Sequence, residues 1–314
     1  MVRFLGGKLY MMLLQVIVVA TLVFSLVHLM PGDPAALVLG TERGGDAAAL
    51  AEMRHMLGLD RPLLQQYLDW VGNFVRLDMG KSLFDQTPVT EYIAQRLPNT
   101  IELALVSIIL AALIGVPLGI IAALKRQSAV DLILSSISAL GVSFPVYVLG
   151  AFLILLFSFK LQLFPASGFV AFSEDPVRHI QRMALPAITL ALGLAASIAR
   201  MTRSSMLETL NKDYIQTHKA KGLPYGSIIF KHALRNAIIP VVTIIGLQLG
   251  NLIGGTVLIE YLFNWPGMST LLVKSISNRD YPLIQGCIVV MATFFILVNM
   301  LVDVLYGLMD PRVR

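Results

Sequence analysis

Gly80-Lys81-Ser82 has the residue types that close a phosphate-binding loop, in which a lysine reaches the phosphates and a serine hydroxyl holds magnesium. That loop also needs a glycine five residues before Gly80. Val75 stands there, so the tripeptide lacks the backbone cradle. Five histidines (His28, His55, His179, His218 and His232) show no spacing that would gather a metal, and no His-Glu-x-x-His run occurs. A Gly-x-Ser-x-Gly elbow is missing too. The single cysteine, Cys287, excludes an internal disulfide and reads as a small buried apolar residue. The chain is not expected to be an enzyme, and it is not expected to hydrolyse ATP.

The remaining residues with chemistry to offer lie in or beside apolar runs. Gln248 and Asn251 are three apart, with Gly246, Gly250, Gly254 and Gly255 around them. Asn299 and Asp303 are four apart and share a helical face. Such groups line a path or gate for a solute, or they bond neighbouring helices while glycines let backbones approach. Both readings stay open. Glu260 ends an apolar run and is expected to be solvated there. Arg200 and Arg203 are expected to snorkel to an interface.

The stretch "YIQTHKAKGLPYGSIIFKHALRN", Tyr214 to Asn236, is basic and lies between two very apolar segments. Glu208 to Lys221 are good helix formers, Gly222 supplies a stop, and Pro224 suits the start of a second helix from about Tyr225. Two short helices joined by a tight Gly-Leu-Pro corner are expected. Their mixed apolar and basic surface suits anionic lipid headgroups, or helix-in-groove docking on a cytosolic protein. The hard corner favours being received by a partner, and charge favours lipid.

The elements that must position these residues follow from composition. The chain has 314 residues, 56% of them hydrophobic and 14% charged. Its mean hydropathy is +0.76. Soluble domains carry about 25% charged residues. Roughly 20 apolar residues cross a bilayer, and six stretches qualify, at 9–31, 100–124, 132–159, 185–203, 237–260 and 284–307. The first reads as a retained helix and not a removed signal. Taking 1–8, 125–130, 200–235 and 308–314 as one side gives 13 Lys and Arg against 3 Asp and Glu; the other side has 11 against 12 in twice the length. The positive-inside bias makes both termini cytoplasmic. The net charge of +5 reflects that topology, and no nucleic-acid partner is implied.

The long segment 32–98 lies outside on this reading. Leu57, Leu64, Tyr67, Leu68 and Val71 have helical spacing, and Gly58 and Pro62 divide the segment into short helices. It reads as a helical cap on the outer face, with Tyr67 and Trp70 available as interfacial anchors. The expected fold class is an all-α polytopic membrane protein. It has six transmembrane helices, an external helical segment between the first two, and a cytoplasmic loop, 204–236, between the fourth and fifth. A self-sufficient secondary transporter or channel is the rival class. Against it stand the lack of a conspicuous buried charge pair and of matching Gly/Pro-broken spans in two halves.

"ARMTRSSMLETLNKDYIQTHKAKG" followed by "KHALRNAIIPVVT" resembles the EAA loop of binding-protein-dependent ABC importer permeases, in the form of the first permease subunit of the dipeptide/oligopeptide/nickel branch. The resemblance covers the whole chain through ordered blocks, among them "FSLVHLMPGDPAALVLG", "RLPNTIELAL", "LFPASG", "LFNWPGMSTLLVKSISNRDYPLIQG" and "LVNMLVDVLYGLMDPRVR". It implies one permease domain over 1–314, set in the lipid bilayer of a bacterial inner membrane. It further implies a homologous second permease, two cytosolic ATPase subunits that carry ATP and magnesium, and an extracytoplasmic solute-binding protein. No cofactor would be bound by this chain.

The basic loop would be the ATPase-coupling loop. Tyr214, Gln216, Thr217, His218, Ala220, Gly222, Leu223, Pro224, His232 and Asn236 are its candidate residues, and Pro240 is the downstream proline. Gln248, Asn251, Asn299 and Asp303 are the pathway or gate candidates. Two departures stand out. Gln216, Thr217 and His218 occupy the Glu-Ala-Ala positions, and His232 to Arg235 occupy the Ile-x-Leu-Pro positions. Di- or oligopeptides are the substrates the resemblance implies, with nickel, glutathione or oligosaccharides as alternatives within the family.

Overall fold

The computed structural model describes residues 2–29, 35–36, 47–56 and 58–309. Leu57, the end of the first predicted span beyond residue 29 and the basic C-terminal residues after 309 lie outside these. Among the described residues, twelve α-helices of six residues or more carry the architecture. They are α1 (Val2–Leu29), α2 (Ala47–Met56), α3 (Leu63–Val75), α4 (Val89–Leu124), α5 (Ala129–Ser143), α6 (Val146–Leu153), α7 (Pro176–Leu210), α8 (Asp213–Ala220), α9 (Leu234–Gly255), α10 (Val257–Leu262), α11 (Met268–Ser277) and α12 (Tyr281–Met309). Two π-helical segments, Ile154–Lys160 and Ile228–Ala233, extend α6 and lead into α9. Among the described residues the only strand-like feature is an isolated bridge between Lys81 and Pro88.

Five of these helices are long and apolar enough to cross a membrane, and the pair 129–160 makes a sixth if counted as one span. That pair is bent by 103°. The cause is local: Phe144 takes an extended conformation before Pro145, as the proline ring demands of its predecessor. The fourth span, the shortest by sequence, belongs to the 35-residue α7. Asp175 caps α7, accepting from the backbone N–H of Val177 and Arg178, and Pro176 opens its first turn. At about 1.5 Å per residue α7 is longer than the roughly 30 Å hydrocarbon layer.

The chain forms two compact units. One comprises Ile101–Trp265 with Met1–Gly6 and Leu297–Arg314; the other comprises Gly7–Thr100 with Pro266–Ile296. The first is organised on α7, whose Leu185, Leu190, Ala191, Ala195, Ile198 and Ala199 are buried in its core. Small residues let α4 lie close. A Cβ on Gly115 would stand 2.7 Å from the carbonyl oxygen of Ala195, and one on Gly119 would stand 2.6 Å from that of Ala199. Gly119→Leu is therefore expected to push α4 off α7 and cost about 1–3 kcal/mol. A lowered unfolding temperature of the purified chain in detergent would show it; an unchanged midpoint would mean the helices are not held at this separation.

The second unit has a smaller core of Val89, Ile93, Met268, Leu271, Leu283, Cys287 and Met291. Cys287 is buried and unpaired, as its type suggested. Here the Gly80-Lys81-Ser82 tripeptide finds its structural use. Gly80 turns the chain at φ +78°, and the Ser82 hydroxyl donates to the carboxylate of Asp280. The Leu83 N–H donates to the same carboxylate at 3.2 Å. Asp280 is itself buried at the start of α12. It thus ties a loop 198 residues away to a helix terminus.

Candidate functional site

The basic loop begins where α7 ends. α8 stops in a Schellman turn: the Leu223 N–H donates to the His218 carbonyl at 3.3 Å, and the Gly222 N–H donates to that of Lys219 at 3.0 Å. Gly222 has φ +72° and open space around its Cα. The corner therefore demands glycine for its backbone angle, with no neighbour to clash against. Gly222→Val is expected to cost roughly 1–2 kcal/mol at this turn. It should reduce recovery of bound ATPase, read by co-purification, with global stability little changed. Equal recovery would detach the corner from docking.

The second short helix is not separate, and this corrects the sequence reading. After Pro224 the chain runs through Tyr225–Ser227 and the π-helical segment Ile228–Ala233 directly into α9. Ile228, Ile229 and Ala233 are too apolar to lie on a surface. They pack instead with Met206 of α7, Ile215 of α8 and Ile120 and Ala123 of α4. Only α8 is a free-standing short helix. It sinks Ile215 into this cluster and leaves Gln216, Thr217 and Ala220 exposed. Leu223 is half-buried beside the cluster, while Gly222 and Pro224 form the exposed corner.

Four of the candidate loop residues come together. The His218 and His232 rings are 4.1 Å apart and tilted by 31°. Tyr214 meets His218 edge-on at 6.2 Å, and Asn236 Nδ2 donates to the Tyr214 hydroxyl at 2.9 Å and to the His232 carbonyl at 3.0 Å. His218 and His232, one residue from each stretch that departs from the EAA pattern, thus stack on each other and fasten α8 to the base of α9. A single sequence cannot pair residues 14 apart across a turn whose geometry is unknown.

Gln248 and Asn251 line a cavity of about 390 Å³, with Tyr147, Ser197, Gly193 and Leu258 among the walls. No residue lining it is charged. Asn299 and Asp303 do not line it. Asn299 Oδ1 is shielded from solvent and lacks a hydrogen-bond partner among the described residues, while Asp303 is exposed. Between them α12 presses Val302 onto Gly246, where a Cβ would lie 2.1 Å from Cγ2. The glycine at 246 is thus a packing glycine, and Gly254 has nothing within 4 Å.

Three charged sites differ from expectation. Glu260 is fully buried and not solvated: α9 ends at Gly255, and Thr256 Oγ1 donates to Glu260 Oε1 at 2.9 Å within the new turn of α10. Arg203 does not snorkel but holds Asp131 in a bidentate pair, Nε to Oδ1 at 2.6 Å and Nη2 to Oδ2 at 2.8 Å. The Gln127 N–H adds a bond to Oδ2 at 3.0 Å. His179 is buried among Phe169, Phe172 and Trp265, with Nε2 2.9 Å from Glu102 Oε1 and Nδ1 2.7 Å from the Val170 carbonyl. A carbonyl only accepts, so Nδ1 carries a proton and Nε2 shares one with the carboxylate. The chain therefore does contain a conspicuous charge pair, Arg203–Asp131, and a histidine–carboxylate contact, hidden in the sequence because the partners are 72 and 77 residues apart.

Comparison with known proteins places this geometry. The family model for the inner membrane component of binding-protein-dependent transport systems matches residues 115–314, and the model for the N-terminal part of that membrane component matches 1–104. The di/tripeptide transport system permease protein DppB of Pseudomonas aeruginosa is 42% identical over 337 aligned positions, covering 100% of this chain and 99% of that one. The glutathione transport system permease protein GsiC of Shigella flexneri is 43% identical, covering 95% and 94%. In fold, the chain matches a structure of the inward-facing MetNI methionine ABC transporter, with TM-score 0.56 and 17% identity over 69% of this chain and 96% of that one. With family models matching both parts of the chain and relatives above 40% identity over nearly its whole length, the chain belongs to the inner membrane component family of binding-protein-dependent transport systems, as a permease subunit of an ABC importer.

Proposed function

We propose that this permease forms half of the pathway for di- or oligopeptides, or similar small solutes, and that α8 is the helix through which cytosolic ATPases drive it. The observation that carries the reading is α8 itself. Its exposed residues face away from the chain, while Ile215 and the histidine stack fix its position on two spans. A helix so held transmits force, whereas one lying on lipid needs no such anchorage.

The pocket beside Gln248 and Asn251 supports the substrate class. Its amide side chains and the Tyr147 hydroxyl can exchange hydrogen bonds with peptide groups, and no wall charge selects one side-chain sign. The relatives named for di/tripeptides and for glutathione, itself a peptide, point the same way. On this reading both termini and α8 are cytoplasmic. A homologous second permease completes the path, two ATPases bind ATP and magnesium, and an extracytoplasmic binding protein delivers the solute.

The test is a tagged pull-down of the chain from its native membrane in mild detergent, followed by identification of what accompanies it. A second permease and one or two proteins with a complete phosphate-binding loop are expected. The accompanying binding protein, assayed against a dipeptide library, should then bind peptides. Recovery of a stably folded chain without any ATPase would overturn the coupling role. A binding protein that ignores peptides would overturn the substrate class alone.

A further inference from the structure

α3 is tied to α1. The hydroxyls of Thr21 and Tyr67 are 2.8 Å apart, and Phe24 meets Tyr67 edge-on at 5.4 Å and Trp70 at 5.9 Å. The aromatic residues available as interfacial anchors thus also pack on the neighbouring helix. Thr21 and Phe24 both fall within Gly6–Ser25, the part of α1 apolar enough to span. α3 consequently meets α1 at the last turn of the stretch that is apolar enough to span.

At about 100° per residue, Leu64, Leu68 and Val75 lie within roughly 40° of one another, on the arc next to the Tyr67 and Trp70 face. They are 70%, 59% and 76% exposed. Gln65, Asp69 and Asn73 occupy a separate arc centred about 120° from the stripe, where Arg61 Nη1 bonds Asp69 Oδ2 at 3.1 Å. Along α1, Leu13, Leu14, Ile17, Val18 and Leu22 are exposed as well, as a spanning helix leaves them toward lipid.

We propose that α3 is an in-plane membrane helix, whose Leu64, Leu68 and Val75 insert into acyl chains at the α1 end of the bilayer while Gln65, Asp69 and Asn73 face water. Its partner is the lipid surface itself, and its polar arc, low charge and apolar stripe are those of an interfacial helix. α3 fixes the depth of α1 and keeps the segment that follows at the membrane surface. The inference needs α1 to cross the bilayer and does not depend on the transported solute.

Depth-resolved quenching tests it. The full chain carrying Cys287→Ser, with Leu64→Cys, Leu68→Cys or Val75→Cys on one arc and Gln65→Cys, Asp69→Cys or Asn73→Cys on the other, is labelled with bimane and reconstituted in phosphatidylcholine vesicles. Lipids brominated on the acyl chain should quench the first three positions and leave iodide without effect there; the last three should show the reverse. Quenching of positions 64, 68 and 75 by iodide would place the helix in water and overturn the proposal. Resistance of those positions to both quenchers would show protein covering the stripe, and would overturn it equally. Because Trp265 is buried, a Trp265→Phe chain leaves Trp70 as a reporter that needs no cysteine. Its emission should also fall with brominated lipid, and failure to do so would count against the assigned depth.

Discussion

Replacing residues 213–222 with a Gly/Ser linker of equal length is expected to abolish uptake while the chain remains in the membrane. The linker behaves as a random coil, so no exposed helix surface is presented in a fixed direction. Interfaces of this kind depend on a few anchoring side chains, each worth about 2 kcal/mol or more, and losing all of them leaves nothing to receive ATP-driven motion. The structure also sets where the replacement must stop. Residues 225–233 form the base of α9, and Ile228 and Ile229 sit in the core, so extending the linker to 232 would unfold a span and confuse the result. Ala220→Arg is the sharper companion. Ala220 is exposed, so this change should leave thermal stability intact and still reduce ATPase recovery and uptake together. Uptake at the original rate with the linker in place would remove α8 from coupling.

Asp131→Ala is expected to destabilise the chain by about 2–3 kcal/mol. A fully buried pair that loses one partner costs about 3–5 kcal/mol because the other charge is stranded. The Arg203 side chain keeps 31% exposure against 7% for Asp131, so water recovers part of that loss. The change also strands the Gln127 N–H and the Ser135 hydroxyl, both of which use this carboxylate. Asp131→Leu combined with Arg203→Met should restore most of the midpoint, since an apolar pair of similar volume replaces an ion pair at little cost. If the double variant melts no higher than Asp131→Ala, the cost lies in the carboxylate's other hydrogen bonds and not in the stranded arginine.

The membrane class and the approximate position of every span were legible because hydropathy acts locally and needs no partner. The φ of Gly222 was legible for the same reason: a helix stop followed closely by proline leaves few other conformations. What required coordinates was whatever joins distant positions. The Asp131–Arg203 pair, the His179–Glu102 contact and the seat of Ser82 on Asp280 each link residues from remote segments, and each residue alone reads as an ordinary group facing water. The Phe24 contacts of Tyr67 and Trp70 were hidden for a different reason. Aromatic belts and helix–helix contacts use the same side chains, and composition does not say which neighbour a ring meets. The 103° break at Pro145 shows a third limit, since a proline announces an interruption but not its angle.

The cluster under α8 has a mechanical consequence. Ile215 shares one apolar contact region with Met206 near the end of α7, with Ile228 and Ala233 at the base of α9, and with Ile120 and Ala123 of α4. Close-packed side chains have little compressibility, so a displacement of α8 is not absorbed where it enters. Under the proposed coupling role it divides among three spans at once, with the short helix as the stiff end of a lever whose fulcrum is this buried cluster. Softening that fulcrum, as Ile215→Ala would, should lower the stroke delivered per ATP before it lowers the affinity for the ATPase.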